Sequence, residues 1–493
     1  MHEPPPGLSP AERAGERAAK NTIVRATAEI IGKVASFILF AAIARTLGQS
    51  NLGIFVFAFA FLRVAMLPID LGLDRYMLRE VARSRSRADD LFFNVLVLKL
   101  ALSVPVLATS MGVLSLLGYS GPTRDTVYVL AAGLLCDLFA RSIYGFLLAH
   151  ERGELIALSI VVQRIGAAGI GLAALAAGFG VVAMAASYTL GAALGLLVGL
   201  VLLKRKIGLP RLHVARARWR ALAASSLPFA AQEILTGVLF KLDAVILSVL
   251  TVEAAVGRYG AAYQLFESSF FLIFAVVDSF SAMFTYLGRD SQPTLAAVFQ
   301  RAIKLGLATL VPLAVAFGTL AEPLARLFFG DQFAESADPL RLLAPAVVML
   351  GLVTITSSLI VSRRSPRMLA ILTAAAVAIN VMLNFALIPR FDDSGAAAAM
   401  LVTETLLAAV GLRIAIQTVG GFDWLSAVTG PIGAGLAMLA VMLLFASTPA
   451  LALAAGVVAY LVALVLIERI VSPLDLEFMV KMVRRRLPAR PRR

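Results

Sequence analysis

The sequence predicts an all-α polytopic membrane protein of about fourteen transmembrane helices. Of its 493 residues, 60% are hydrophobic and only 15% are charged, which is too little polar surface for a soluble protein of this length. Apolar stretches of bilayer-spanning length recur from Asn21 almost to the C-terminus, separated by short basic or Gly- and Pro-containing breaks. Because these stretches are continuous and do not alternate with polar residues, helices are favoured over the strands of a barrel.

The apolar stretches define the individual spans, with boundaries good to a few residues. The predicted spans are 22–46, 53–73, 91–117, 124–149, 154–177, 180–203, 222–249, 257–286, 298–319, 337–361, 367–388, 395–417, 424–446 and 449–469. The longest basic break, Lys204 to Arg220, separates about six spans from about eight and predicts two lobes. The predicted domains are an N-terminal tail (1–20), an N-lobe (21–203), an inter-lobe linker (204–221), a C-lobe core (222–417), a final pair of spans (418–470) and a basic tail with an amphipathic helix (471–493).

The loops between the spans alternate in charge along the chain. One set is short and poor in basic residues. The other set is basic and contains Arg75, Arg79, Arg83, Arg85, Arg87, Arg152, Lys204, Arg205, Lys206, Arg211, Arg216, Arg218, Arg220, Arg363, Arg364 and Arg367. By the positive-inside rule, the tail, the linker and both termini are predicted to be cytoplasmic. The same rule explains the net charge of +14 without a nucleic-acid partner.

A short pattern recurs at the start of the second span of each lobe. Its two copies are Gly53, Phe55, Ala58 and Phe59, and Gly257, Tyr259, Ala262 and Tyr263. Such an echo is typical of parallel repeats related by an axis along the membrane normal. Chance recurrence of residues common in membranes is the alternative.

Charged residues within the spans are the candidates for function. A charge at the bilayer centre costs at least ~2.5–3.5 kcal/mol, so it normally faces a cavity or an oppositely charged partner. The cations are Arg25, Lys33, Arg63, Arg141, Arg164 and Lys241, and the acids are Glu29, Asp137, Glu233, Asp243 and Glu267. Glu29 with Lys33 and Asp137 with Arg141 are each one turn apart, so structural ion pairs remain an alternative to a binding role.

No cofactor or metal site is predicted. Cys136 is the single cysteine, and His2, His150 and His213 are scattered along the chain. The residue spacing that holds a metal ion is therefore missing. The N-terminus lacks a basic region followed by an apolar stretch and a cleavage site, so we expect an uncleaved tail.

Several segments, in this order, resemble the polysaccharide-export flippases of the multidrug/oligosaccharidyl-lipid/polysaccharide exporter superfamily. They are ARTLGQSNLGIF (44–55), DLGLDRYMLREVAR (70–83), SLPFAAQEILTGVLFKLDAVIL (226–247), VGRYGAAYQL (256–265), FFGDQFAESADPLRLLA (328–344) and INVMLNFALIPRFDDSGAAAAMLVTE (379–404). The resemblance covers most of the chain. It implies two lobes around a central cavity that opens alternately to either side of the bacterial inner membrane.

The resemblance also implies a substrate. Such proteins move undecaprenyl-pyrophosphate-linked oligosaccharides from the cytoplasmic to the periplasmic leaflet for O-antigen, capsule or exopolysaccharide assembly, alongside a polysaccharide polymerase and assembly proteins. We therefore expect Lys33, Arg63 and Lys241 to contact the pyrophosphate, with Arg141 and Arg164 as second choices, because cations compensate the lost hydration of an anion. The relatives that carry peptidoglycan precursors have a cation in the eighth span, where this chain has Glu267.

The acids predict ion coupling. Glu29, Glu233, Asp243 and Glu267 are candidates to bind Na⁺ or to change protonation and thereby bias one orientation of the cavity. Coupling to Na⁺, coupling to H⁺ and uncoupled transport stay open as alternatives.

Two other functions compete with the flippase. A multidrug cation antiporter of the same superfamily would need cavity acids to outnumber bases, whereas the predicted spans hold at least as many bases. A membrane glycan polymerase or glycosyltransferase would carry a sizeable polar loop with catalytic residues, and no loop here is long. We therefore expect a transporter that catalyses no chemical step.

Overall fold

The computed structural model describes residues 10–286, 292–364 and 366–471. Within these residues the protein consists of fifteen α-helices and three short 3-10 helices, without strands. The α-helices are α1 (Pro10–Asp70), α2 (Leu73–Arg83), α3 (Ala88–Leu116), α4 (Gly121–Ala149), α5 (Gly153–Ala176), α6 (Val181–Lys206), α7 (Trp219–Leu250), α8 (Glu253–Ser268), α9 (Phe270–Tyr286), α10 (Gln292–Thr319), α11 (Ala321–Phe329), α12 (Ala337–Arg363), α13 (Pro366–Val419), α14 (Trp424–Leu444) and α15 (Pro449–Val471). The amphipathic helix predicted within 471–493 lies outside the described residues.

The all-α polytopic fold is confirmed. Eleven helical segments of the described chain are long and apolar enough to cross a bilayer. Two of them, Val24–Asp70 with 47 residues and Arg367–Val419 with 53, are each long enough to cross twice. Counting their halves separately gives thirteen segments, and α7, which lies where the sequence predicts a span at 222–249, would be the fourteenth.

Both long helices break where the sequence places a loop. Gly48 in α1 has φ 81° and ψ 179°, and Asp392 in α13 has φ 47° and ψ −128°, so neither residue is helical. Beyond the second break, a Cβ added to Gly395 would lie 2.6 Å from the Leu387 carbonyl oxygen. The chain therefore turns back tightly there, and Asn380 and Thr403 face each other across the two halves of α13 at 3.5 Å.

The chain forms two compact units, Met1–Gly257 and Arg258–Arg493. The first unit contains α1 to α7 and the start of α8, and the second contains the remaining helices. The lobes and linker assigned from the sequence, 21–203, 204–221 and 222–417, remain predictions.

The core of the first unit is built on α2, which begins after Leu71 and Gly72, both in the left-handed region at φ 45° and φ 72°. Its residues Leu73, Met77 and Val81 recur every four positions and are fully buried. They pack with side chains of α3, α4, α5, α6 and α7 in one apolar cluster. This core fixes the polar face of α2 against α4 and α7.

The segment between α6 and α7 is held by the first turns of α3. Asn94 accepts hydrogen bonds from the Ala215 backbone N–H at 2.9 Å and from Trp219 Nε1 at 3.3 Å, and its Nδ2 donates to the His213 carbonyl at 2.9 Å. Asp89 accepts from the Arg211 backbone N–H, and Asp90 forms an ion pair with Arg218 at 3.0 Å. Asp89 and Asp90 therefore fasten this segment to α3.

In the second unit, α10 packs against α12 and α14, and α14 packs against α15. Lys304 of α10 and Glu468 of α15 form a buried ion pair at 2.5 Å, next to Gly430 of α14. Asp393, at the break in α13, is buried and pairs with Arg258 at 2.9 Å.

Candidate functional site

A cavity opens within the first unit between α1, α4 and α7. It contains about 530 Å³ of empty space, including its open mouth. Its lining is Arg63, Met66, Leu67, Asp70, Gly72, Leu134, Asp137, Leu138, Arg141, Ala230, Glu233 and Ile234. Five of these side chains carry charge, which is unusual for helices of such apolar composition.

Arg63 projects into the cavity from α1. Its guanidinium carbon lies 5.0 Å from the ring centroid of Phe59, one turn earlier on the same face of the helix. Its Nη2 lies 3.5 Å from Asp137 Oδ2 of α4. Asp137 is fixed on its other side, because Gln163 Nε2 of α5 donates to Oδ1 at 3.0 Å. The Phe59 ring and the Asp137 carboxylate thus orient Arg63, and Asp137 is itself held by Gln163.

Arg141 enters the cavity from α4 and pairs with Glu233 of α7 at 3.0 Å. The second oxygen of Glu233 lies 3.3 Å from Arg75 of α2. One carboxylate therefore joins three helices, and its charge is shared between two guanidiniums.

A third charged group reaches the cavity through Asp70. Lys99 of α3 is completely buried and pairs with Asp70 at 2.5 Å and with Asp74 of α2 at 2.6 Å. Ser142 of α4 accepts a hydrogen bond from Lys99 and donates one to Asp74. Sequence reasoning missed this group, although a lysine within an apolar stretch and two aspartates one turn apart were visible signals.

In both ion pairs of the cavity the cation is more exposed than the acid. The Arg63 side chain is 32% exposed and that of Asp137 is 11% exposed. Arg141 is 44% exposed, whereas Glu233 is 23% exposed. The two guanidiniums are therefore more accessible to a ligand than the acids they pair with, whereas Lys99, the partner of Asp70, has no exposed side-chain surface.

The cavity brings together four of the charged candidates predicted from the sequence: Arg63, Asp137, Arg141 and Glu233. Arg164 lies beside it, within electrostatic range of Asp137 and with Nη1 3.5 Å from Ser36 Oγ. The alternative of an Asp137–Arg141 pair is replaced by Arg63–Asp137 and Arg141–Glu233, because packing turns each side chain towards a neighbouring helix.

The other predicted residues lie outside this lining. On α1, Glu29 is half-buried and Lys33 is exposed. Lys241 and Asp243 belong to α7, half-buried and buried respectively, and Glu267 is half-buried on α8 in the second unit. Across the described ranges, His, Cys, Asp and Glu form no group of three or more that could hold a metal ion.

Comparison with known proteins identifies relatives of this chain. The family of polysaccharide biosynthesis proteins matches residues 18–287. A curated relative, the probable low-salt glycan biosynthesis flippase Agl15 of Haloferax volcanii, is 22% identical over 384 residues, which are 77% of this chain and 80% of the relative.

Solved structures with the same fold include two kinds of transporter. The lipid II flippase MurJ in an inward closed conformation superposes with a TM-score of 0.76 at 14% identity, covering 91% of this chain and 99% of that one. An inward-facing multidrug resistance MATE family transporter of the MOP superfamily gives a TM-score of 0.66 at 16% identity, covering 81% and 98%. At these identities the similarity establishes the shared fold. The sequence match extends over more than half of the chain, which is therefore a multi-pass membrane protein that belongs to the polysaccharide biosynthesis protein family.

Proposed function

We propose that the protein is an alternating-access flippase for undecaprenyl-pyrophosphate-linked oligosaccharide. It carries this lipid from the cytoplasmic to the periplasmic leaflet of the bacterial inner membrane, with both termini cytoplasmic and without an enzymatic step. The family match and the relative named as a glycan biosynthesis flippase support this proposal. O-antigen, capsule or exopolysaccharide assembly is the proposed use, with a polysaccharide polymerase and assembly proteins as partners.

The observation that carries the proposal is that Arg63 and Arg141 are more exposed than the acids they pair with. A pyrophosphate loses its hydration on leaving the membrane surface, and a guanidinium replaces that hydration with paired, charge-assisted hydrogen bonds. The 3.5 Å separation of Arg63 from Asp137 is longer than a direct hydrogen bond, so this carboxylate does not occupy all the N–H donors of Arg63, which can bind a ligand while the ion pair persists. Asp137 is held by a hydrogen bond from Gln163.

The remaining predicted residues extend the proposal. Lys33, Lys241 and Arg164 are further head-group contacts. Glu29, Glu233, Asp243 and Glu267 are candidates for coupling to Na⁺ or H⁺. For Glu233, coupling would require release from Arg75 and Arg141, which bind it at 3.3 and 3.0 Å.

Proteoliposomes that contain a short undecaprenyl-pyrophosphate oligosaccharide test the proposal. Translocation between leaflets is compared for the parent, Arg63→Ala, Arg141→Ala and Lys33→Ala. Removing one phosphate-binding cation should slow translocation by about tenfold or more. Arg124→Ala is the matched control, because Arg124 is also on α4 but is exposed and pairs with its neighbour Asp125. A parent that moves no lipid-linked sugar, or a control as impaired as the cavity variants, would contradict the proposal.

A multidrug cation antiporter is the second candidate. Asp70, Asp137 and Glu233 outnumber the two arginines in the lining, which favours a cationic substrate if the arginines turn away. In the same vesicles, export of organic cations against a Na⁺ or proton gradient, lost in Asp137→Asn but kept in Arg63→Ala, would establish this function instead.

A further inference from the structure

The buried group around Lys99 has one more negative charge than positive. A single ammonium faces the carboxylates of Asp70 and Asp74, at 2.5 and 2.6 Å. The Lys99 side chain has no exposed surface, and the Asp74 side chain is only 13% exposed. Burial of a second carboxylate beside a single ammonium is unfavourable, and uptake of a proton would remove that cost.

The neighbouring charges offset this imbalance only without direct contact: Arg75 and Arg141 share the single carboxylate of Glu233, which leaves one positive charge beside the group. Arg141 of α4 is within electrostatic range of both aspartates, but it is bound to Glu233 of α7 at 3.0 Å. On α2 itself, Arg75 also binds Glu233, and Glu80 pairs with Arg87 of the following 3-10 turn. Ser142 of α4 contributes only a hydroxyl.

One carboxylate oxygen of the group is free to hold a proton. Asp74 Oδ2 is buried and accepts no hydrogen bond from any described residue, whereas Oδ1 is taken by Lys99 and Ser142. Both carboxylates contact the same Lys99 ammonium, so the two groups lie close together. A shared proton would satisfy both groups at once.

The surroundings of Asp74 also favour binding of a proton. Asp74 belongs to α2, which is outside the candidate membrane spans. Burial raises the pKa of its carboxyl to about 6, against the opposing charge of Lys99 and with a further increase from Asp70. Its protonation is thus set near physiological pH.

We propose that the Asp70–Lys99–Asp74 group binds one exchangeable proton and that Asp70, which lines the cavity, links this proton to the charge of the cavity's ligand. The proton comes from water and adds to a carboxylate, so the charge of the group changes from −1 to 0 and no other bond is broken. An anion beside Arg63 and Arg141 favours the neutral state of the group, and by linkage protonation favours the anion equally. This coupling rests on the flippase function proposed above, whereas proton binding itself does not.

A metal ion fits the group less well than a proton. Hard cations favour about six oxygen ligands, and the Lys99 ammonium already occupies the space between the two carboxylates. Proton binding therefore needs no rearrangement of the side chains.

Infrared difference spectroscopy of the full-length protein in lipid vesicles tests proton binding directly. Lowering the pH from about 8 to about 5, across the range in which such a carboxyl titrates, should produce the carbonyl band of a protonated carboxylic acid with a midpoint near pH 6. The band should vanish in Asp74→Asn and persist in Asp125→Asn, whose carboxylate is exposed on α4. A band that is absent in the parent, that persists in Asp74→Asn, or that disappears when K⁺ is replaced by Na⁺ would overturn the proposal.

The same infrared titration of Ser142→Ala is a second test, in which Asp70, Asp74 and Lys99 are all kept. It removes the hydrogen bond that stabilises the ionised Asp74, so the midpoint should rise by about one pH unit. An unchanged or lower midpoint would count against Asp74 as the site of the proton.

The coupling is tested by translocation of the lipid-linked oligosaccharide with and without a proton gradient. The parent should respond to the gradient several-fold, and Asp74→Asn should translocate at one rate in both conditions. A parent that translocates without any response overturns the coupling. A titrating carboxyl in a protein that translocates no lipid-linked sugar refutes the flippase while the proton site stands.

Discussion

Gly53 and Gly257 each lie against a backbone carbonyl of the helix that carries the other. A Cβ added to Gly53 would lie 1.8 Å from Glu253 O, and one added to Gly257 would lie 2.0 Å from Gln49 O. Each carbonyl belongs to the residue four positions before the opposite glycine, so the contact is reciprocal. It joins the second half of α1 to the first turn of α8, at the two copies of the short pattern seen in the sequence.

Replacing either glycine with alanine should weaken this helix crossing. A methyl group cannot occupy the position of a carbonyl oxygen, so Gly53→Ala and Gly257→Ala should each destabilise the protein by about 1–3 kcal/mol. Thermal unfolding in detergent measures the effect. Gly169→Ala on α5 is the control, because its Cβ would meet open space and alanine favours the helix. Equal stability of all three variants would show that the contact is unimportant.

Removing Lys99 should leave two buried carboxylates without their partner. Lys99→Met is expected to destabilise the protein by about 3–5 kcal/mol, and Lys99→Met combined with Asp74→Asn should recover part of the loss. Thermal unfolding of both variants checks this, beside Arg124→Met, an exposed cation whose removal should change little. A double variant no more stable than Lys99→Met would mean that the unpaired Asp74 carboxylate does not cause the loss of stability.

Stability should fall as the pH rises from about 4 to about 6. The folded Asp74 carboxyl keeps its proton up to its pKa of about 6, whereas the unfolded carboxyl loses its proton near 3.8. The folded state binds more protons between these values, which contributes at most about 3 kcal/mol at low pH and is lost above pH 6. Raising the pH from about 5 to about 7.5 should therefore lower the melting temperature of the parent relative to that of Asp74→Asn. Identical differences in the two proteins would exclude Asp74 as the cause.

Asn94 should govern access to the segment between α6 and α7. Asn94→Ala removes the hydrogen bonds to His213, Ala215 and Trp219 and should speed tryptic cleavage within 207–218 by about tenfold, because each lost hydrogen bond weakens the closed state. Mass spectrometry of the first fragments locates the cleavage. Asn51→Ala is the control, since Asn51 donates only within its own helix, to Leu47. Cleavage at the same rate in both variants would show that Asn94 does not hold the segment.

Lys304 and Glu468 should stabilise the docking of α15 on α10. Glu468→Gln leaves the buried Lys304 charge less compensated and should destabilise the protein by about 3 kcal/mol, whereas Lys304→Met with Glu468→Leu should be closer to the parent. Chemical unfolding measures both. If the double variant is the weaker one, the ion pair itself provides the stability.

The helices were largely predictable, and the partners of their charged residues were not. Apolar length predicted the spans, and Gly48 and Asp392 break long helices where loops were expected. The helical period also placed Phe59 and Arg63 on one face, where they meet. It could not reveal that Arg63 pairs with Asp137, since that contact depends on the rotation and crossing of separate helices.

The sequence by itself determined that this chain crosses a membrane many times, because apolar length and the need to satisfy every backbone hydrogen bond leave no other fold. It also supplied charges within the spans, whose burial requires partners or water. Only the tertiary structure decided which charges meet. Lys99 joins Asp70 and Asp74 across α1, α2 and α3, and Glu233 joins Arg75 and Arg141 across α2, α4 and α7. Such contacts arise from packing between residues distant in the chain, which no local periodicity encodes.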